Sequence, residues 1–179
     1  MLKDETSSKN FTSLTSALIH MYSSCGNITT AREVFDISLK QKGTQLGISA
    51  WSSIISAYSM FGDAEEAIRI FELLCAKGTV LPNKVTFIAL LTACSHALLP
   101  ERAIGYINLM KEQYNITPDL SHHTCVVDAL GRAGRLEEAE VYANKISDGD
   151  VILWMSLLGS CRLHGDLERG KKVAEKIFA

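Results

Sequence analysis

A spacing of 36 residues recurs along the chain and constrains its fold more than any other feature. Each step from Gly26 to Gly62, Leu98 and Gly134 is 36 residues long, and Gly165 follows after 31. Other positions keep this phase, and a small residue stands five places after each of those five: Ala31, Ala67, Ala103, Ala139 and Gly170. Self-similarity at a fixed period is typical of repeat proteins, in which each copy forms one supersecondary unit.

Each copy predicts two helices joined by a short turn. In the second copy, apolar residues have the spacing of an amphipathic helix: Trp51, Ile54, Ile55 and Tyr58. The turn "FGD" follows, and the next run, "AEEAIRIFELLCAKG", has acids in its first turn, where the helix dipole favours them. One such hairpin cannot bury its own apolar stripe, whereas stacked neighbours can. We therefore predict an all-α fold, a right-handed α-solenoid of about five helix-turn-helix repeats.

The stretch "GRAGRLEEAE", from Gly131 to Glu140, has two competing interpretations. A phosphate-binding loop needs a Lys and a Ser or Thr after its glycines, and neither follows here. A helix-turn-helix needs only a glycine between two helices and an amphipathic run after it. Because the stretch is in phase with the other copies, we predict that it is the turn between two helices.

Composition limits the class of protein. With 179 residues, of which 47% are hydrophobic and 21% charged, the chain can bury a core and is not typical of disordered proteins. Its net charge of −2 offers no overall attraction to nucleic acid. No apolar run approaches the roughly 18 residues that span a membrane. Asp4 and Glu5 are not typical of a secretory signal or transit peptide, so we expect a short tail or a cut end, and a fragment or truncated gene product.

Residues that could catalyse a reaction or bind a metal form no convincing set. The five cysteines include no CxxC pair, and His122, His123 and Cys125 lack a second ligand pair for zinc. A zinc deaminase needs H-x-E and P-C-x-x-C, and the sequence has neither. We therefore predict a protein that is not an enzyme, with no metal, no cofactor and no small-molecule substrate.

Four stretches resemble successive S, P, L and S variants of plant pentatricopeptide repeat proteins. They are "LTSALIHMYSSCGNITTAREVFD", "ISAWSSIISAYSMFGDAEEAIRIFELLCAKGTVLPN", "KVTFIALLTACSHALLPERAIGYINLMKEQYNITPD" and "HHTCVVDALGRAGRLEEAE". The last unit, "VILWMSLLGSCRLHGDLERGKKVAEKI", resembles the E (extension) motif of organelle RNA-editing factors. Tetratricopeptide repeats share the outline, but their W-x2-L-G-x2-Y signature is missing from every copy.

The period and the resemblance together divide the chain into units. A polar N-terminal tail precedes four repeats, and an E-like helical hairpin follows them. The predicted ranges are 1–11 for the tail, about 12–47, 48–83, 84–119 and 120–150 for the repeats, and 151–179 for the hairpin.

The resemblance implies that the chain binds single-stranded RNA and reads one base per repeat. In this family, the fifth residue of the first helix and the last residue of the unit read the base. In the second repeat these are Ser52 and Asn83, and a small hydroxyl paired with Asn implies adenine. In the fourth repeat they are Thr124 and Asp150, and a hydroxyl paired with Asp implies guanine.

The other two repeats depart from this scheme. In the third repeat the pair is Ile88 and Asp119, and an aliphatic fifth residue reads no base edge. In the first repeat Ser16 holds the fifth position, but a longer turn leaves Thr44 and Gly47 as alternatives for the last one.

Further contacts to RNA are expected from the same helices. Val85, Val127 and their equivalents are expected to hold a base between adjacent repeats, as a stacking platform does. The first helices contain only four charged residues: Lys84, Asp128, Arg132 and Arg162. Most acids fall on the second helices, which are expected to form the outer wall, so the negative net charge does not exclude a groove that accepts phosphate. Arg132 and Lys84 are the candidates for a phosphate contact.

The predicted function is that of an RNA-binding adaptor in organelle RNA metabolism, with C-to-U editing as the expected process. The E-like tail would recruit a deaminase or another editing factor in trans, and no membrane is expected as a partner. By resemblance the compartment is the mitochondrion or the plastid. The alternative is a tetratricopeptide-like helical scaffold for protein-protein interaction, against which the hydroxyls at 16, 52 and 124 count.

Overall fold

The structure is a computed structural model that describes residues 2–41, 46–146 and 150–178, with side chains described from residue 13 onward. The described part of the chain forms ten helices, paired in hairpins. They are α1 (Leu2–Ser24), α2 (Ile28–Lys40), α3 (Ile48–Met60), α4 (Ala64–Lys77), α5 (Lys84–His96), α6 (Pro100–Glu112), α7 (Leu120–Arg132), α8 (Leu136–Ile146), α9 (Val151–His164) and α10 (Leu167–Phe178). The prediction of an all-α fold of helical hairpins is confirmed.

The first helix begins earlier than the sequence predicted. We expected a polar tail over 1–11 and a helix from about residue 12, whereas α1 already begins at Leu2. The cause is that the first 24 residues contain neither Gly nor Pro, and polar residues such as Lys3 and Glu5 are good helix formers. Polarity alone does not end a helix.

The turn between the two helices of each hairpin has the same backbone conformation in every copy. Gly26, Gly62, Gly134 and Gly165 have φ of +79°, +77°, +77° and +69°. Leu98, which stands where the others have glycine, also has a positive φ of +59°. Because a side chain in this left-handed region is strained, Leu98 carries a cost of about 1 kcal/mol that the glycines avoid. The interpretation of "GRAGRLEEAE" as a turn is confirmed.

Two compact units divide the chain, and the first comprises residues 1–93. In it, α1 packs against α2 and α3, and α3 packs against α4. Asn27 and Asp63 cap α2 and α4, since their side chains accept hydrogen bonds from Thr30 N at 3.0 Å and Glu66 N at 3.1 Å. The core of this unit consists of fully buried apolar side chains from all of these helices: Ile19, Phe35, Trp51, Ile54, Ile55, Leu74, Phe87 and Leu90.

The second unit comprises residues 94–179, in which α7 packs against α6, α8 and α9, and α9 packs against α10. Its core includes Val126, Val127, Leu130, Leu153, Trp154 and Leu157. At the crossing of α7 and α9, Gly131 lies so close to α9 that a Cβ there would meet Ser160 Oγ at 2.1 Å. His164 Nε2 lies 2.9 Å from Gly131 O at the same crossing. Glycine therefore permits the close approach of the two helices.

Close helix contacts also explain the small residue that recurs in the second helices. Ala31, Ala67, Ala103 and Ala139 all have no exposed surface. A larger side chain at these positions would overfill the space between helices. Among the described helices, none is both long and apolar enough to cross a membrane.

Candidate nucleic-acid interface

One face of each odd-numbered helix presents four residues in register from repeat to repeat. Counted from residues 48, 120 and 151, the second, fifth, ninth and thirteenth residues are spaced three or four apart and so lie on one face. We call these four residues the stripe of a helix. The stripe of α3 is Ser49, Ser52, Ser56 and Met60; that of α7 is Ser121, Thr124, Asp128 and Arg132; and that of α9 is Ile152, Met155, Gly159 and Leu163.

The predicted pair Ser52 and Asn83 is brought together by a third residue, Thr86. Ser52 Oγ lies 2.8 Å from Thr86 Oγ1, and Thr86 Oγ1 lies 3.1 Å from Asn83 Oδ1. Thr86 N also donates to Asn83 Oδ1 at 3.0 Å, and Asn83 N donates to Thr86 Oγ1 at 3.2 Å. Thr86 is fully buried, Ser52 is 6% exposed, and Asn83 is exposed. Asn83 thus faces solvent, while Ser52 is less accessible than a residue that contacts a base was expected to be.

The fifth and last residues of the other repeats lie in different surroundings. Thr124 is half-buried, and its hydroxyl donates to Leu120 O at 2.9 Å. Asp150 caps α9, because its Oδ1 accepts from Ile152 N at 2.8 Å. Ile88 is half-buried in α5. Ser16 is half-buried and its Oγ lies 2.9 Å from Ser49 Oγ. Of the two alternatives for the last residue of the first repeat, Thr44 lies outside the described residues, and Gly47 is the N-cap residue of α3.

Asp119 is exposed, and its side chain contacts the imidazole of His122. His122 is fully buried, and its Nδ1 lies 2.6 Å from Asp119 Oδ1. Asp119 N also donates to His122 Nδ1 at 3.3 Å, as part of the capping box of α7. The neighbouring His123 lies 2.8 Å from the hydroxyl of Tyr142. The two imidazoles therefore have separate partners. Among the described residues no group of His, Cys, Asp and Glu is arranged to hold a metal.

The stacking residues suggested by the sequence behave differently. Val85 is 62% exposed on α5 and could contact a base. Val127 has no exposed surface and packs in the core of the second unit, so the expectation that it holds a base is wrong. Val127 belongs to a buried column of the repeat that also contains Ile19, Ile55 and Leu91.

The cations of the odd-numbered helices are not equivalent. Arg132 Nε donates to Asp128 Oδ2 at 2.7 Å, and Ser95 Oγ donates to the same oxygen at 2.5 Å. Arg162 is exposed, and its guanidinium has no hydrogen-bond or ion-pair partner among the described residues. Arg132 and Arg162 both line a cavity of about 350 Å³ between α7 and α9, together with Ser156 and Ser160. A phosphate in this cavity would contact Arg132, whose charge Asp128 neutralises, and Arg162, whose charge no acid neutralises among the described residues.

Acidic side chains of the even-numbered helices form ion pairs with arginines. Arg32 pairs with Glu66 in the first unit, and Arg135 pairs with Glu101 and Glu138 in the second. The Arg135 guanidinium holds the pKa of Glu138 below its usual range. These pairs neutralise part of the acidic charge of the even-numbered helices.

Two residues at this interface were missed by the sequence prediction. Thr86 could have been found from its place three residues after Asn83, since the third helical residue is the one whose side chain returns to the cap in a capping box. Arg162 could not be separated from Arg132, because the sequence shows both on first helices and does not show which is paired with an acid.

Comparison with known proteins defines the family. The model of the pentatricopeptide repeat, described as "PPR repeat", matches residues 14–40, 49–79, 85–114 and 121–146. A pentatricopeptide repeat-containing protein of Arabidopsis thaliana is 43% identical over 166 residues, which is 92% of this chain and 22% of that protein. A second one, named as mitochondrial, is 39% identical over 92% of this chain and 17% of its own length. A third, named as chloroplastic, is 40% identical over 90% of this chain and 25% of its own length.

The chain therefore belongs to the pentatricopeptide repeat family. It spans only 16 to 25% of the length of the curated relatives it matches. Among solved structures, the pentatricopeptide repeat protein PPR10 in complex with an 18-nucleotide psaJ RNA element has a TM-score of 0.79 at 16% identity, over 91% of this chain and 24% of that one. The PPR domain of Arabidopsis thaliana protein-only RNase P 1, in complex with tRNA, has a TM-score of 0.71 at 18% identity, over 93% of this chain and 89% of that one. Both likenesses show the shared fold.

Proposed function

We propose that the chain is an RNA-binding segment that reads single-stranded RNA, one base per repeat, with the first helices of its four repeats, α1, α3, α5 and α7. The observation that carries this proposal is the Ser52–Thr86–Asn83 cluster, which connects the two predicted base-reading side chains and leaves the Asn83 amide exposed. Two solved proteins with this fold are in complex with RNA, which supports the same ligand class here.

The chemistry of the two complete pairs fits different bases. The Asn83 Nδ2 group has no partner among the described residues, so it can donate to a ring nitrogen such as adenine N1. Asp150 presents a carboxylate that accepts hydrogen bonds, as the N1–H and amino group of guanine require. Amide and carboxylate ends thus select different Watson–Crick edges.

Backbone contacts would come from the cavity between α7 and α9. Arg162 is the stronger candidate for a phosphate, since Asp128 already neutralises Arg132. Lys84 remains a candidate at the start of α5. With few reading repeats and about 1–3 kcal/mol for each stacked base, the isolated chain binds RNA weakly.

The terminal hairpin has a different role in this proposal. Three stripe residues of α9 are apolar and exposed: Ile152 at 58%, Met155 at 60% and Leu163 at 65%. A methionine at the fifth position has no group that could read a base edge. We propose that α9 and α10 recruit a protein, a deaminase or another editing factor, in C-to-U editing. The compartment is the mitochondrion or the plastid, in which two of the relatives are named.

The test compares binding of short RNAs to this chain by fluorescence anisotropy. Asn83→Asp keeps the helix cap and replaces the amide donor with an acceptor, so preference at one position should move from adenine toward guanine by about tenfold. Asn108→Asp makes the same chemical change on the exposed surface of α6 and should leave the preference unchanged. A duplex or a single-stranded DNA that bound as well as the RNA would contradict the proposal.

A protein scaffold without RNA is the alternative outcome. It predicts no saturable binding of single-stranded RNA of any sequence, together with unchanged binding of a protein partner in Asn83→Asp. The apolar stripe of α9 fits both accounts, so the RNA measurement decides between them.

A further inference from the structure

Thr86 occupies a position that gives the base-reading pair a fixed hydrogen-bonding direction. The backbone N–H and the hydroxyl of Thr86 both donate to Asn83 Oδ1, at 3.0 Å and 3.1 Å, so the Asn83 side chain turns Oδ1 inward. The Nδ2 group, which has two hydrogens, consequently faces away from the helix. The exposed end of Asn83 is a donor.

The hydroxyl protons of this cluster follow from the same geometry. Asn83 Oδ1 has no hydrogen, so Thr86 must donate across the 3.1 Å contact between Thr86 Oγ1 and Asn83 Oδ1. Thr86 Oγ1 then has no proton left for Ser52, and Ser52 must donate across their 2.8 Å contact. The remaining lone pairs of Ser52 Oγ can only accept a hydrogen bond.

We propose that Thr86 is a positioning residue that sets the base preference of the second repeat without contacting the base. It fixes an acceptor at Ser52 and a donor at Asn83. This arrangement matches a base that presents an amino group beside an unprotonated ring nitrogen, as adenine and cytosine do. It opposes guanine and uracil, which present a carbonyl oxygen beside a protonated ring nitrogen. The inference rests on the proposed RNA-binding function and names the selectivity of that site.

The residues at the same position of other repeats show that this arrangement is particular to Thr86. The equivalent residues are Ala50, His122 and Leu153. His122 contacts the carboxylate of Asp119, and both oxygens of a carboxylate accept hydrogen bonds, so turning that group over would not change what it presents to solvent. The side chains of Ala50 and Leu153 have no polar group and cannot hydrogen-bond a base-reading residue. Among the described repeats, only at Thr86 does a side-chain hydroxyl donate to the amide of a predicted base-reading residue.

The test uses three variants of the same chain. Thr86→Val keeps the shape and removes the hydroxyl, Thr86→Ser keeps the hydroxyl, and Thr92→Val makes the same swap in α5 where the hydroxyl donates to Ile88 O at 2.8 Å. RNAs that differ only at the position read by the second repeat, with each of the four bases, are titrated against every variant. The side-chain amide signals of Asn83 are followed by NMR in the free chain.

The expected result is a loss of selectivity rather than of folding. The parent chain should favour adenine over guanine by about tenfold. Thr86→Val should lower this ratio several-fold, because Ser52 is then free to donate, while the backbone N–H of residue 86 still holds Asn83 Oδ1. Thr86→Ser should restore it, and Thr92→Val should retain it. In the free Thr86→Val chain, the Asn83 amide signals should shift and their hydrogens should exchange faster.

Two results would overturn the inference. One is an unchanged adenine preference in Thr86→Val, and the other is an unchanged Asn83 amide signal in that variant. If the parent chain bound no single-stranded RNA, the proposed function would fail, and with it the selectivity of Thr86. The NMR measurement would still decide whether Thr86 fixes Asn83, so the two failures are distinguishable.

Discussion

The helices α7 and α9 occupy equivalent positions in their hairpins, but the stripe of one is polar and that of the other is apolar. Both are the first helix of a hairpin and both have a fully buried core, with Val126 and Leu130 in one and Leu157 and Trp154 in the other, all at most 1% exposed. The stripe of α7 is polar throughout, whereas the stripe of α9 is apolar apart from its glycine. The same packing therefore supports two different surfaces.

This difference shows which part of a repeat is free to vary. Positions that face the neighbouring helix are fixed by volume, as Gly131 is by the approach of Ser160. The stripe positions of α7 and α9 are half-buried or exposed, so their chemistry can change from the hydroxyl of Thr124, proposed to read a base, to the exposed methionine Met155. In this proposal, fold and function are specified by different positions of the repeat.

The largest expected effect concerns the crossing of the two helices. A Cβ at Gly131 would lie 2.1 Å from Ser160 Oγ and 2.6 Å from Ser160 Cβ. Gly131→Ala should therefore lower the free energy of unfolding by about 1–3 kcal/mol, measured by urea denaturation. Combining it with Ser160→Gly should recover most of the loss from the clash.

The matched control lies on α9. A Cβ at Gly159 would meet nothing within 4 Å, so Gly159→Ala should leave the stability unchanged or raise it by up to about 1 kcal/mol. Equal destabilisation by the two substitutions would show that α7 and α9 do not approach at Gly131.

The second prediction makes the same substitution at equivalent stripe positions. Thr124→Asn should move the base preference of the fourth repeat from guanine toward uracil by about tenfold. Met155→Asn should create no base preference, because α9 is proposed to face a protein. Titration with RNAs that vary at one position measures both. A new preference from Met155→Asn would remove the distinction between the helices.

The third prediction separates the arginines of the cavity. Arg162→Gln should reduce the slope of log K against log salt concentration by about one, uniformly for all RNA sequences. Arg132→Gln should reduce it less, since Asp128 already neutralises that guanidinium at 2.7 Å. Arg102→Gln, on α6, is the control for the change in net charge. A larger loss from Arg132→Gln would assign the phosphate contact to α7.

The smallest expected effect is a dependence of stability on pH that arises in α7. His123 is 8% exposed, and burial is the main cause that lowers its pKa, with Lys111 and His122 acting in the same direction and Asp119 against it. Its partner Tyr142 has a pKa raised to about 12 by burial. Because the unfolded chain binds the proton more readily, stability is full above the ordinary pKa of about 6.5 and falls as the pH drops toward the lower folded value.

His123→Phe tests this assignment. Trp154 stands at the equivalent position of α9 and does not titrate, so α9 makes no such contribution. Urea denaturation at several pH values below 7 should show a shallower loss of stability for His123→Phe than for the parent chain. Equal pH profiles would place the titrating group elsewhere.

Much of the fold was predictable from the sequence, because the repeat reveals itself through positions that packing fixes. The recurring small residues and the positions of the turns were found from spacing alone, and even Leu98 adopts the conformation of the glycines it replaces. The start of α1 was predicted wrongly, because the polar residues 1–11 were expected to lie outside the helix although they contain no Gly or Pro. Val127 was assigned to the RNA surface although its column is apolar in every repeat.

The candidate site was predictable only as a set of residue types. The family resemblance placed Ser52 and Asn83 in one reading pair, but the sequence could not show that Thr86 connects them, because the connection crosses from one repeat to the next. Nor could it show that Arg132 is paired with Asp128 while Arg162 has no partner among the described residues. Such facts depend on side-chain geometry, which periodicity does not specify.

The central claim is that the first helices of the four repeats, α1, α3, α5 and α7, read RNA, and an NMR titration of the labelled chain with a short single-stranded RNA tests it most directly. We predict shifts in the backbone and side-chain amide signals at Asn83, Val85 and Thr124, with little change on the even-numbered helices. Shifts confined to α2, α4, α6 and α8, or no shifts at any accessible RNA concentration, would contradict the account.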